Sequence, residues 1–393
     1  MKYPFRAIPT AAVLAVLLIG CRHDGSVDAS KFTVEVIDGV KHIHNEAPQV
    51  GDPYPVTLEL IGKIGELEGK EDKDILYDPV DATRLPNGDI LILEGSACSV
   101  KRYNKDHEFI SSFGQKGLGP GDFISPYSLR LNRKRNKLYV ADNKTSWFSL
   151  DGRFMDSFKP ARVRLSGGSS TTEQYRTSGM ALLSGSRVIL PGDTSGWEDA
   201  GGRKLLSVYD EGGTIIRSFG AVKQFDDPHM TLNANIVHFS TDGEDNCYIA
   251  YAFQNRIDKY SPDGKIVFSA DRGLPYEIKN EMKEFVFTSG PMKKVMSWPS
   301  VTSITKGIIM DQKNRMWVLT FLMQPNKFGG FDSEDNMTRC YEFDVFDSNG
   351  ILHFKVPFPN VRFNNISMCD DRMYLIDSAY ESCVYEYRIV EKD

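Results

Sequence analysis

The sequence predicts an all-β chain folded as a six-bladed β-propeller. Each blade has four antiparallel strands, and the last is closed by a strand from the N-terminal side. One unit of short strands recurs six times, and the same kinds of turn residue punctuate each copy. Little of the chain has the apolar spacing of a helix. A unit of this kind buries its faces only against its neighbours, so the copies must close into a ring.

Composition bounds the reading. The chain has 393 residues, 41% hydrophobic and 25% charged, which is ordinary for a globular protein with a sizeable core. Lys and Arg total 47 against 53 Asp and Glu, a net charge of -6. A mildly acidic chain has no global electrostatic reason to bind nucleic acid.

From the N-terminus, Lys2 and Arg6 precede an apolar run at 11–19, then Gly20-Cys21 and the polar Arg22-His23-Asp24-Gly25. The run is too short to cross roughly 30 Å of hydrocarbon as a helix. It fits the hydrophobic region of an export signal. Leu18-Ile19-Gly20-Cys21 resembles the bacterial lipobox. The resemblance implies cleavage before Cys21 and lipid attachment to it. Residues 1–20 are then a signal peptide, 21–31 a lipidated tether and 32–393 one propeller domain. Each acyl methylene buried in the bilayer contributes about 0.8 kcal/mol to such an anchor. Cys98, Cys247, Cys340, Cys369 and Cys383 remain, an odd number without CxxC spacing, so buried thiols are expected rather than a disulfide framework or a zinc ribbon. The one pair the repeat suggests is Cys369 with Cys383, on nearby strands.

The second strands of the units align best. They are ILILE (90–94), LYVAD (138–142), VILPG (188–192), CYIAY (247–251), MWVLT (316–320) and MYLID (373–377). Turn chemistry precedes each: Asn87-Gly88, Arg135-Asn136, Ser184-Gly185, Glu244-Asp245, Lys313-Asn314 and Asp370-Asp371. Third strands end in an aromatic and a polar residue, as in VKRYN (100–104), LSVYD (206–210) and FDVFD (343–347). Gly turns such as Asp151-Gly152 and Asp263-Gly264 lead into fourth strands such as FISSFG (109–114). The sixth unit stops after its third strand, and VTLELIGKI (56–64) alternates as its missing fourth strand would. A seventh, degenerate unit at the start is the competing count.

Residues 113–159 contain Phe113-Gly114, Gly117-Leu118-Gly119-Pro120-Gly121, LYVADN (138–143) and SLDGRFMDSF (149–158). This stretch resembles an NHL repeat. With the lipobox, and with VEVIDGVKHIHN (34–45) as a lead-in, the chain resembles the poorly characterised NHL-like six-bladed propeller lipoproteins of bacteria. The resemblance implies a fold and a lipid-anchored place in a Gram-negative cell envelope. It implies no catalytic residue.

In a four-stranded meander, the first-to-second and third-to-fourth turns share one face. Here those are tight. The extra length falls on the other face, in connections 159–178, 220–232 and 271–303 and internal loops 192–203 and 321–340. Long loops on a rigid scaffold carry recognition. Their aromatics and charges make Tyr175, Trp197, Glu198, Asp199, Tyr276, Lys293, Trp298 and Phe331 the candidate ligand-binding residues. Residues 276–287, with Pro275 before them, suggest a short helix inserted as a lid or partner surface.

Catalytic and cofactor motifs are absent: no GxSxG, no HExxH, no P-loop, and a glycine run at 117–121 that lacks the dinucleotide spacing. No cofactor is expected. His42 and His44 share one side of a strand but lack further ligands, and Asp332 to Asn336 is oxygen-rich without the Gly and closing Glu of an EF-hand. Asp81, His238, Asn364 and Asn365 are placed near first strands, where a channel metal would find donors. The reading that results is a membrane-anchored module binding a glycan, a peptide or an envelope protein through its long-loop face. The alternative is a metal-dependent lactonase- or lyase-like enzyme with its site in the central channel, and a third reading is an envelope scaffold.

Overall fold

The computed structural model describes residues 27–65, 75–160, 179–192, 204–289, 292–325 and 339–392. Cys21, Tyr175, Trp197, Glu198, Asp199, Phe331 and the acidic run at 332–336 lie outside them. A hairpin of β1 (Phe32–Ile37) and β2 (Val40–Asn45) comes first, then the lone strand β3 (Val56–Ile64). Blade 1 is β4 (Pro79–Arg84), β5 (Ile90–Glu94), β6 (Ser99–Tyr103) and β7 (Phe109–Phe113). Blade 2 is β8 (Ser128–Asn132), β9 (Lys137–Ala141), β10 (Thr145–Ser149) and β11 (Phe154–Phe158). Blade 3 is β12 (Ala181–Leu183), β13 (Arg187–Pro191), β14 (Lys204–Tyr209) and β15 (Ile215–Ala221), followed by the helix α1 (Pro228–Ala234). Blade 4 is β16 (Val237–Thr241), β17 (Cys247–Tyr251), β18 (Ile257–Tyr260) and β19 (Ile266–Arg272). A hairpin of β20 (Glu281–Ser289) and β21 (Met292–Ser300) intervenes. Blade 5 is β22 (Thr305–Met310), β23 (Met316–Phe321), β24 (Tyr341–Phe346) and β25 (Leu352–Pro357). Blade 6 is β26 (Asn365–Cys369), β27 (Arg372–Asp377) and β28 (Cys383–Glu391), and β3 pairs with β28 as its outermost strand. The first strands meet in ring order β4, β8, β12, β16, β22, β26 and back to β4. The blade count is therefore six.

Each blade grades from a buried interior to a wet rim. The second strands are near-continuous apolar runs because both of their faces are covered. All six turns before them contain a residue at positive φ: Gly88, Asn136, Gly185, Asp245, Asn314 and Asp370. The fourth strands of blades 1 and 2 are largely exposed. No blade has a core of its own. The six main hydrophobic clusters each join two neighbouring blades, as where Leu93 and Val100 of blade 1 meet Leu129 and Phe148 of blade 2.

Two repeated devices hold neighbours in register. Every third strand presents a buried aromatic (Tyr103, Phe148, Tyr209, Tyr260, Phe346, Tyr387), and one extra residue is inserted in the strand outside it. Bulges at that position twist the outer edge and blunt it against pairing with other chains. The fourth-strand phenylalanine of one blade then lies against the turn glycine of the next: Phe113 on Gly152, Phe158 on Gly213, Phe219 on Gly264 and Phe268 on Gly350. At Gly152 φ is +85° and a Cβ would stand 2.5 Å from Phe113 Cδ1, so both backbone and space demand glycine.

The seam between blades 6 and 1 is built differently, because its outer strand comes from the other end of the chain. Gly62 of β3 lies under the His107 ring, and His107 Nε2 bonds Glu386 Oε2 at 2.7 Å. The first hairpin widens blade 4 to six strands through parallel pairing of β2 with β19. Its buried Asn45 donates to the carbonyls of Asp271 and Gly350 and accepts from Leu352 N, tying blade 4 to blade 5. His44 bonds Asp271 Oδ2 at 2.7 Å and Glu35 Oε1 at 3.1 Å, which gives the His42–His44 pair a structural half.

Two expectations are corrected. Residues 276–287 form no helix: 281–289 pair with 292–300 as a hairpin. Four consecutive aromatic and β-branched residues, Phe285 to Thr288, favour a strand. The charges before them recur every second residue, and Glu277–Lys279 and Glu281–Lys283 pair as i,i+2 neighbours on one side of an extended chain. Cys369 and Cys383 do not pair either. They lie on β26 and β28 with β27 between them, opposite Arg372 and Asp377 at its two ends, beyond the reach of a disulfide. All five described cysteines are free thiols.

Gly152→Ala is expected to cost about 1–3 kcal/mol beyond the positive-φ penalty. Gly39→Ala, with φ +80° and nothing within 4 Å, isolates that penalty alone. Equal shifts of the two urea midpoints would remove the packing role of Gly152. A second expectation concerns pH. Burial opposes charge on His44, but its hydrogen bonds to Asp271 and then Glu35 outweigh this and raise its pKa. The stabilisation is therefore complete below the unfolded value of about 6.5 and is lost as pH rises through the higher folded value. Amide exchange in β2 should accelerate from about pH 6 to about pH 8 beyond its intrinsic pH dependence, and His44→Gln should abolish that excess.

Candidate functional site

The six first strands enclose an axial channel with a cavity of about 650 Å³. Each strand starts at the long-loop face, so Ser303, Ala252, Phe253, Phe321 and Ser378 ring the mouth there. Alternate residues of a strand face alternate sides. The polar groups among them sort into two kinds.

The first kind is consumed in stitching blades together. Asp81 is buried on β4. Its Oδ1 accepts from Ala82 N, while Oδ2 accepts from Leu129 N at 2.8 Å, from Ser128 Oγ and from the Arg130 guanidinium. Asn365 donates to Val80 O and Ser367 to Ala82 O, both at 2.8 Å across the seam of blades 6 and 1. Asn364 Oδ1 accepts from Ser378 N and Ala379 N. Three of the four donors expected in the channel, Asp81, Asn364 and Asn365, are therefore engaged within the ring. Among the described residues no group of three His, Cys, Asp or Glu side chains is placed to hold a metal ion.

The second kind is open to the cavity. His238 on β16 and Lys306 on β22 occupy adjacent blades and both line it. Pairing of β22 with β23 runs Thr305 to Thr320 and then Gly307 to Leu319, so Lys306 is the inserted residue of a bulge. Such bulges re-aim a side chain. Gly307 lets blade 6 approach, since a Cβ there would lie 2.9 Å from Ile366 Cδ1. Burial pushes the Lys306 pKa down, with Cys340 pulling weakly the other way. Burial, and next the Lys306 charge, push His238 down to about 4 against the Thr305 carbonyl, so His238 is a neutral imidazole at pH 7. Beneath Lys306, Arg272 of blade 4 is fully buried, with Nε 2.8 Å from Asp344 Oδ2 and Nη2 bonded to Thr305 and Thr320.

At the rim, the Tyr276 hydroxyl donates to Ser303 O and Phe321 O, and burial raises it to about 12, so it ties the mouth together as a neutral phenol. Asn280 fastens the base of the hairpin β20–β21 to Phe253 O and Thr302 N. Trp298 on β21 is half-buried, its ring 6.2 Å from His229 of α1. Lys293 lies on the same strand, opposite Thr288. Of the eight ligand-binding candidates, Tyr276, Lys293 and Trp298 thus belong to one connection over the mouth. The acids that end second strands are structural: Glu94 accepts from Tyr77 N and Asp78 N, Asp142 from Ile124 N and Ser125 N, and Asp377 from three successive amides. Sequence reasoning missed Arg130 and Lys306. The available signal for Lys306 was a lysine beside glycine in an otherwise apolar first strand, TKGIIM.

No protein-family model matches the chain, and no curated protein sequence does. Solved structures do. A member of the DUF4221 family from Bacteroides vulgatus superposes with TM-score 0.53 at 13% identity, over 86% of this chain and 99% of that one. A Bacteroides fragilis protein described as exported gives 0.52 at 14%, over 90% and 99%. At such identity the likeness is one of fold.

Asp81→Asn should lower unfolding stability by about 2–4 kcal/mol, because it leaves the Arg130 guanidinium facing a neutral amide. Adding Arg130→Gln should recover part of that loss. A cost below about 0.5 kcal/mol, or strict additivity, would show that the pair does not tie blades 1 and 2.

Proposed function

We propose that the protein is a lipid-anchored, extracytoplasmic binding module that holds a glycan, a peptide or an envelope protein on its long-loop face. The observation that carries this reading is the segregation of turns. First-to-second and third-to-fourth turns are tight, whereas α1, the hairpin β20–β21 and the channel mouth share the opposite face. A rigid ring that concentrates its variable loops around one opening is built to present them. The hairpin carries Trp298 and an exposed cross-strand pair, Val286 and Val295, while its base is fastened to the mouth by Asn280. The anchor rests on Leu18-Ile19-Gly20-Cys21, and the exported description of the Bacteroides fragilis neighbour is in keeping with it.

The test is capture of envelope polysaccharides, peptidoglycan fragments and envelope extracts by the purified full-length protein. Replacing residues 281–300 by a short Gly-Ser link should abolish capture while leaving the melting temperature within a few degrees. Trp298→Ala should weaken it roughly tenfold. Capture that survives loss of the hairpin, or none by the intact protein, overturns the loop-face reading. Labelled palmitate should enter the wild type and not Cys21→Ser, and equal labelling would remove the anchor.

A further inference from the structure

The channel lining has an unbalanced charge. Its described residues include one carboxylate, Asp81, and two cations, Arg130 and Lys306. Asp81 and Arg130 neutralise each other between blades 1 and 2. Lys306 sits opposite them in the ring, on blade 5, and no carboxylate or hydrogen-bond acceptor among the described residues engages its ammonium. A half-buried lysine without a counter-charge destabilises the fold that carries it. A bulge nevertheless aims it inward, next to the His238 imidazole, whose N–H is held by the Thr305 carbonyl. Asp81, Asn365 and Ser367 are engaged in inter-blade bonds, and His238 in one to the Thr305 carbonyl, which leaves the Lys306 ammonium unengaged among the described residues.

We propose that the channel is a binding site for a singly charged carboxylate, seated on the Lys306 ammonium beside His238. One uncompensated cation matches one negative charge, whereas a phosphate dianion would leave a charge unpaired. The Lys306 ammonium carries three N–H donors, enough to meet both carboxylate oxygens. The cavity of about 650 Å³ is far larger than a lone halide needs, and it opens to the loop face, so the carboxylate is the end of a larger molecule. An acidic sugar and the C-terminus of a peptide share this chemistry. The carboxylate site is independent of the loop-face reading, since no described residue of the hairpin lines the channel.

Calorimetric titration of the full-length protein tests it with two matched pairs: glucuronate against its neutral methyl ester, and acetyl-dialanine against its amide. At least one acid should bind roughly tenfold or more tighter than its neutral partner. Preference within the sugar pair alone assigns an acidic sugar, and within the peptide pair alone a chain terminus; both results support the site. Lys306→Gln should erase the preference. The same change should raise the melting temperature of the ligand-free protein, since it removes an uncompensated charge, whereas a lysine with a merely structural role would lower it on removal. Lys306→Met provides the same readouts should the glutamine variant misfold. No preference for either acid, or a preference that survives both substitutions, overturns the proposal. Neither result depends on the hairpin, because the variant lacking residues 281–300 should keep the preference.

Discussion

The packing of a fourth-strand phenylalanine against the bare turn glycine of the next blade is the contact on which the ring depends. Phe113 on Gly152, Phe158 on Gly213, Phe219 on Gly264 and Phe268 on Gly350 repeat it four times. A side chain on the glycine would push two blades apart, and a small displacement repeated around a closed ring prevents closure. The buried third-strand aromatic with its outer bulge sets the twist that lets each phenylalanine reach its glycine. Because the apolar clusters lie between blades and not within them, folding is cooperative only when neighbours are present.

Where the two ends of the chain meet, this device gives way to a polar one. Blade 6 borrows β3, so the glycine stands on the outer strand, Gly62, and the side chain over it is His107 from the turn of blade 1. The buried Glu386 then receives His107 and Arg372. A hydrogen-bonded contact suits a seam that can form only after the rest of the ring is built, because its geometry is specific where an apolar contact is permissive.

The closed ring also decides which polar groups of the channel are spent and which are free. Asp81, Asn365 and Ser367 bond across blade seams and hold the first strands together. His238 bonds the Thr305 carbonyl across the seam of blades 4 and 5, whereas no described residue engages the Lys306 ammonium, which lines the cavity. Among the described residues, Lys306 is the channel cation that no carboxylate compensates. The fastened hairpin over the mouth supplies a second, separate surface.

Much of this was legible in the sequence. Blade count, second strands, turn positions and the fourth strand borrowed from 56–64 are set by alternation and turn chemistry, which act over a few residues and repeat. Asp142 at the end of LYVAD was visible as a motif, though its task of capping two amides was not. The short helix expected at 276–287 is instead extended chain leading into the hairpin at 281–300, because the aromatic and β-branched run at 285–288 favours a strand. The sequence alone thus determined the repeat and its number. Only the tertiary structure decided that Asp81 and Arg130 cancel, that Cys369 and Cys383 stand apart, and that no described residue partners Lys306. The physical reason is that a side chain's partners in a ring come from blades tens to hundreds of residues away, and no local pattern encodes which of them arrive.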